Sequence, residues 1–218
     1  EFLLRDGSDN TESLVDVVAL SDGKFATTWS DSGGDASGWG ISVRIFNADG
    51  TPAGASFMAN TTSSSTQYNS SISSFSGGFV VSWYSTTQAG GDSSDIVMQR
   101  FDNNGSAIGS EIDLLIDGSQ QNNQVAAFLD GSFVVVFQST DGSSDGVFAQ
   151  RYNADGTANG DLIQVNETLT GNQTEPSVAT LPNGNFVVGW TGNGVGDNNG
   201  AFIREFDSNG VPIDGEVL

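Results

Sequence analysis

The sequence predicts an all-β fold, a β-propeller of four blades, each made of four antiparallel strands. Three observations carry this. Phe25, Phe79, Phe133 and Phe186 recur at intervals of 54, 54 and 53 residues. Each opens a strand with apolar residues at every second position: Phe25-x-Thr27-x-Trp29, Phe79-x-Val81-x-Trp83, Phe133-x-Val135-x-Phe137 and Phe186-x-Val188-x-Trp190. Such a period places the three on one face of a strand. No segment carries a helical period, and self-similarity at this spacing marks a repeat architecture.

Each repeat reads as the same order of elements. A first strand covers 15–20, 72–75, 125–129 and 178–181. The turns Asp22-Gly23, Gly77-Gly78, Asp130-Gly131 and Asn183-Gly184 follow it, supplying the positive φ of tight hairpins. The second strand is the aromatic one above. A polar loop leads to a third strand ending at Phe46, Phe101, Tyr152 and Phe206. The turns Asn47–Gly50, Asp102–Gly105, Asn153–Gly156 and Asp207–Gly210 then lead into a weaker fourth strand, such as 111–115 and 162–165. The third strand is apolar on both faces, as with Ile96 and Met98 against Val97 and Phe101. A sheet buried on both faces suits a blade packed between two others. Trp29, Trp83, Phe137 and Trp190 belong to the core by the same alternation.

One domain is expected over 1–218, with repeats at about 9–60, 61–115, 116–168 and 169–218. Residues 3–8 resemble 114–119, and residues 1–8 are expected to complete the last blade, closing a monomeric ring; a dimer forming a larger ring is the alternative.

Composition excludes several functions. The 218 residues hold 27 acidic and 6 basic side chains, a formal charge of −21, and neither His nor Cys. Five Arg and one Lys cannot build a phosphate-binding face, so nucleic acid is not a partner. Zinc sites of Cys and His, disulfides, and Ser-His-Asp or Cys-His catalysis are excluded. No apolar run is long enough to insert in a membrane.

The loops between second and third strands gather acids on Gly-permitted turns: Asp35; Asp92 and Asp95; Asp141 and Asp145; Asp197. Closely spaced hard oxygens are what Ca²⁺ requires. The same residues also form ordinary turns by bonding their own backbone. Four of the five arginines, Arg44, Arg100, Arg151 and Arg204, fall on the third strand. They suit inter-blade pairs with acidic turns, and Arg44 and Arg204 also qualify as ligand-binding guanidinium groups. Trp39, outside the core register, is the candidate exposed aromatic for a sugar ring. Sequons at Asn60, Asn166 and Asn172 are what chance gives in so Ser/Thr/Asn-rich a chain.

Pro176-Ser177-Val178-Ala179-x-Leu181-x-Asn183-Gly184-x-Phe186-Val187-Val188-x-Trp190, followed by Asp207-Ser208-Asn209-Gly210, resembles propeller-like repeats of large secreted bacterial proteins. Such proteins often carry RTX (hemolysin-type) calcium-binding repeats; the RTX nonapeptide itself is absent here. The resemblance implies an extracellular, Cys-free module of an adhesin or cell-surface protein, calcium-stabilised, with a surface glycan or protein as partner. The expected function is therefore non-enzymatic binding or structure, with no catalytic residue. A lectin propeller is the alternative, and a polysaccharide-acting glycosidase or lyase ranks behind both, because four near-equal repeats argue against one asymmetric active site.

Overall fold

The computed structural model describes residues 4, 10–35, 38–63, 66–86, 94–114, 116 and 118–217. Fifteen strands make four antiparallel sheets. Blade 1 holds β1 (Glu12–Ala19), β2 (Phe25–Asp35), β3 (Gly38–Phe46) and β4 (Phe57–Met58). Blade 2 holds β5 (Gln67–Phe75), β6 (Gly78–Ser85), β7 (Asp95–Asp102) and β8 (Ala107–Asp113). Blade 3 holds β9 (Gln121–Ala127), β10 (Phe133–Thr140), β11 (Asp145–Tyr152) and β12 (Ile163–Gln164). Blade 4 holds β13 (Gln173–Thr180), β14 (Phe186–Gly194) and β15 (Asp197–Phe206). Val217 bridges Ile203 at the place of its fourth strand. The first strands line the inside in sequence, β1 beside β5, β5 beside β9 and β9 beside β13.

Cohesion comes from between the blades. Ala26, Ile41 and Val43 of blade 1 pack against Ile72, Val81 and Trp83 of blade 2. Val80, Ile96 and Met98 of blade 2 meet Val125, Val135 and Phe137 of blade 3. Val134, Val136 and Ala149 of blade 3 meet Val188, Trp190 and Phe202 of blade 4. In blades 2 and 3, which have a neighbour on each face, the middle strands carry apolar residues at consecutive positions rather than alternate ones. Hydrogen bonds also cross between blades. The Asp16 carboxylate accepts from Ile72 N at 3.0 Å, and the Ser73 hydroxyl accepts from Ala127 N at 2.9 Å. Trp29, Trp83, Phe137 and Trp190 are buried, as their alternation indicates.

The first strands begin earlier than apolar alternation suggests, at Glu12, Gln67, Gln121 and Gln173. The reason is a β-bulge in every blade. Residues 14–15, 69–70, 122–123 and 175–176 stand two against one, opposite Trp29, Trp83, Phe137 and Trp190 respectively. An extra residue in one strand breaks the period of two. Its first member is left-handed in all four: Leu14 (φ 54°), Asn69 (φ 56°), Asn122 (φ 52°) and Glu175 (φ 54°). These are the only non-glycine residues with positive φ among the described residues.

Of the segment expected to complete the last blade, residues 1–3 and 5–8 lie outside the described residues. The Leu4 carbonyl accepts from Arg44 of blade 1 at 3.0 Å.

Candidate functional site

The bulges define one end of the propeller. They lie near the loops from second to third strand and the passages from one blade to the next; the tight hairpins lie at the other end. At the bulge end, Leu14, Asn69 and Asn122 stand on the inner rim. With Tyr68, Tyr84 and Gln121 they line a cleft of about 320 Å³. Tyr68 meets the edge of Trp39, ring centroids 5.3 Å apart and planes at 85°. Trp39 is thus half-buried against the cleft's own aromatic wall. Glu175 occupies the fourth rim position and is exposed; its carboxylate lies 3.5 Å from the Thr191 hydroxyl. Non-glycine residues held left-handed store conformational strain, which persists where surrounding structure fixes it and concentrates at functional sites.

A larger groove, about 610 Å³, opens at the hairpin end between blades 3 and 4. It is walled by turn residues such as Leu129, Pro182, Asn153 and Ser208. Asp130, also on its wall, accepts from Ser132 N at 2.9 Å and from the Ser132 hydroxyl, holding its own turn. Size alone favours this groove. The rim cleft has the tyrosine pair, the amide groups and the strained backbone, and it is the better candidate.

The acidic loops hold themselves. Asp35 accepts from Gly38 N and from the Asn60 amide, both at 3.1 Å. Asp141 accepts from Ser143 N at 2.9 Å and Ser144 N at 3.1 Å. Asp197 accepts from Asn199 N at 2.8 Å. Asp95 is buried at the start of β7, and Asp145 is half-buried at the start of β11. Asp92 lies outside the described residues. Among the described residues, no three acidic side chains converge.

The arginines explain their two registers. Arg44 and Arg204 sit two residues before the aromatic, on its own face of the strand, and each guanidinium carbon lies 5.5 Å from the ring centroid. Arg44 is 4% exposed and donates to the carbonyls of Gly54 and Leu4. Arg204 is 9% exposed and donates to the carbonyls of Asp214 and Val165. Arg204 also pairs with the Glu167 carboxylate at 2.5 Å; both guanidinium groups are occupied within the scaffold, which does not favour the ligand-binding role expected of them. Arg100, one residue before the aromatic, faces the other way and donates to the Ala154 and Asp155 carbonyls in the next blade's turn.

Two supporting devices escape a search for apolar and charged residues. Asn60 donates to Gln67 at 3.2 Å and accepts from Ile41 N at 2.8 Å. Asn166 repeats this with Gln173 at 2.9 Å and Val147 N at 2.8 Å. These pairs tie the exit of one blade to the entry of the next. Both asparagines are buried, so their sequons are parts of the scaffold. The signal was available: Gln67, Gln120 and Gln173 recur at 53 residues, two places before the bulge residues of blades 2, 3 and 4. The second device is Glu216, which accepts from Glu167 N, Val195 N and the Thr168 hydroxyl at 2.9, 3.0 and 2.5 Å. Burial pushes its carboxyl up, but those hydrogen bonds outweigh it and hold the group below its ordinary range.

No protein-family model and no curated protein matches the chain. Solved structures do match its fold. The Hadza microbial sialidase Hz136 is 14% identical with a TM-score of 0.64, over 91% of this chain and 45% of that one. A Dyadobacter fermentans protein of unknown function is 12% identical with a TM-score of 0.70, over 98% and 70%. A family 117 glycoside hydrolase from Zobellia galactanivorans is 10% identical with a TM-score of 0.57, over 93% and 68%. The chain thus spans less than half the length of the sialidase. The shared fold is the β-propeller.

The expectation of a non-enzymatic module is corrected by these neighbours, two of which are named as glycosidases. The inference from near-equal repeats also fails on geometry. The blades are equal as scaffold, but their rim positions display Leu, Asn, Asn and Glu. A symmetric frame can therefore carry an asymmetric site.

Proposed function

We propose that the chain is the propeller of a glycan-hydrolysing enzyme, binding a polysaccharide at the rim cleft. The observation that carries this reading is the rim itself. One left-handed bulge residue recurs in each blade; three of them line a cleft with two tyrosines, and the fourth bears a carboxylate, Glu175. Aromatic rings accept the apolar faces of sugars, amides match their hydroxyl groups, and a carboxyl group supplies one member of the acid-and-base or acid-and-nucleophile pair that glycosidic cleavage uses. Glu175 takes the proton-transfer role. The fold neighbours support the reaction class. An extracellular location belongs to the same reading, since a polysaccharide too large to enter a cell is met outside it.

Release of reducing sugar from a panel of plant, algal and bacterial polysaccharides tests the reading. Glu175→Gln should lower release on the active substrate by at least about a hundredfold, the usual contribution of a placed acid or base. Silence of the unmodified protein on the whole panel, or full activity in Glu175→Gln, overturns it.

A further inference from the structure

The side chains lining the rim cleft are uncharged: Leu14, Tyr68, Asn69, Tyr84, Gln121 and Asn122. Sugars bearing carboxylate or sulfate are held by guanidinium or ammonium groups, or by converging N–H donors. The described cations all sit elsewhere. Arg44 is buried against backbone carbonyls, Arg204 is buried and paired with Glu167, and Arg100 braces blade 3. Arg151 lines the groove at the hairpin end, and Lys24 pairs with Asp22 at 2.9 Å at that same end. Arg5 lies outside the described residues. Acids stand at the rim instead: Glu12 is two residues before Leu14 on β1, and Glu175 holds the fourth bulge position. The chain as a whole carries −21. A net charge so far on the negative side disfavours the approach of an anionic ligand to a cleft that holds no cation among its lining residues.

A neutral sugar meets no such penalty. The three amides carry both donors and acceptors, with one Asn122 proton already given to Gln138 at 2.8 Å, and each tyrosine adds a hydroxyl beside an apolar ring. We infer that the cleft takes a neutral glycan, a pentose or hexose chain without carboxylate or sulfate groups, and discriminates against sialylated and uronic-acid polymers. This rests on the glycan reading of the cleft.

The test is electrophoresis of the full chain through native gels containing arabinan, galactan, polygalacturonate or polysialic acid, with reducing-sugar release measured on the same four polymers. Retardation is expected in a neutral gel only, and Tyr68→Ala or Tyr84→Ala should weaken it about tenfold, the worth of one aromatic contact. Asn122→Ala serves as a second variant should a tyrosine variant lose its circular-dichroism signature. Neutral retardation without sugar release supports the inference while removing the hydrolase reading. Retardation or cleavage confined to polygalacturonate or polysialic acid overturns the inference and leaves the hydrolase reading standing. Free migration in all four gels overturns the inference.

Discussion

Blades 3 and 4 are built alike and live differently. Ala149 of blade 3 and Ile203 of blade 4 hold the same position, three residues before Tyr152 and Phe206. So do Met98 in blade 2 and Val43 in blade 1. Val43, Met98 and Ala149 are 0% exposed, whereas Ile203 is 54% exposed. The difference is the blade in front. The larger side chain is the exposed one, so burial here is set by what packs on the sheet rather than by the strand's own sequence. Blade 4 shows the face that the other three hide.

Charging both faces is the strongest test of this contrast. Ala149→Asp would bury an unpaired carboxylate between blades 3 and 4, at an expected cost of about 3–5 kcal/mol. Ile203→Asp should change stability by only about 0.5 kcal/mol, as for other surface positions. Urea denaturation of both variants measures the gap, and equal losses would mean that something covers blade 4. Next in size is the blade-to-blade staple. Asn166→Ala leaves Gln173 and Val147 N short of a partner and should cost about 1–3 kcal/mol. Asn172→Ala, whose parent side chain is exposed, should cost less; similar losses would remove the special role of the staple.

A smaller effect is pH-dependent. Glu216 has a folded pKa below its ordinary 4.5. The stability it contributes is therefore fully present above that ordinary value and is lost as pH falls through the lower, folded one. Glu216→Gln should flatten the acid limb of a melting-temperature profile relative to the unmodified protein; an unchanged limb would assign that stability elsewhere. The smallest change is at the bulges. Leu14→Gly relieves a left-handed non-glycine residue and should gain about 1 kcal/mol by thermal unfolding. Asn69→Gly should gain less, because asparagine tolerates that conformation. Equal gains would show that the strain is not where the dihedral angles put it.

Much of the fold was legible because the repeat states it four times. The Phe-x-Val-x-Trp strands, the Asp-Gly turns and the apolar third strands each correspond to an element of the blade. The site was less legible, for a physical reason. Apolar alternation reports burial, and it stops at the bulge, where the chain turns its side chains toward the rim. Tyr68, Asn69 and Asn122 therefore lay in what looked like loop. The acids drew attention because they recur, but Asp141 and Asp197 recur as turn-formers. Arg44 and Arg204 were scarce cations with a pattern, and the pattern belongs to stacking on Phe46 and Phe206. Asn60 and Asn166 carried a sequon that hid their structural role.

The bulge at Leu14, Asn69, Asn122 and Glu175 has one more consequence. A leucine, two asparagines and a glutamate all occupy the same left-handed seat within a single chain, so the seat makes little demand on the residue that fills it. Its backbone is fixed by the blade, opposite an aromatic that anchors the sheet. Its side chain stands at the rim and contacts its own blade, as where Asn122 donates to Gln138 at 2.8 Å. Each blade thus offers an interchangeable socket, and a change of specificity needs only a new occupant there, with no redesign of the ring that holds it.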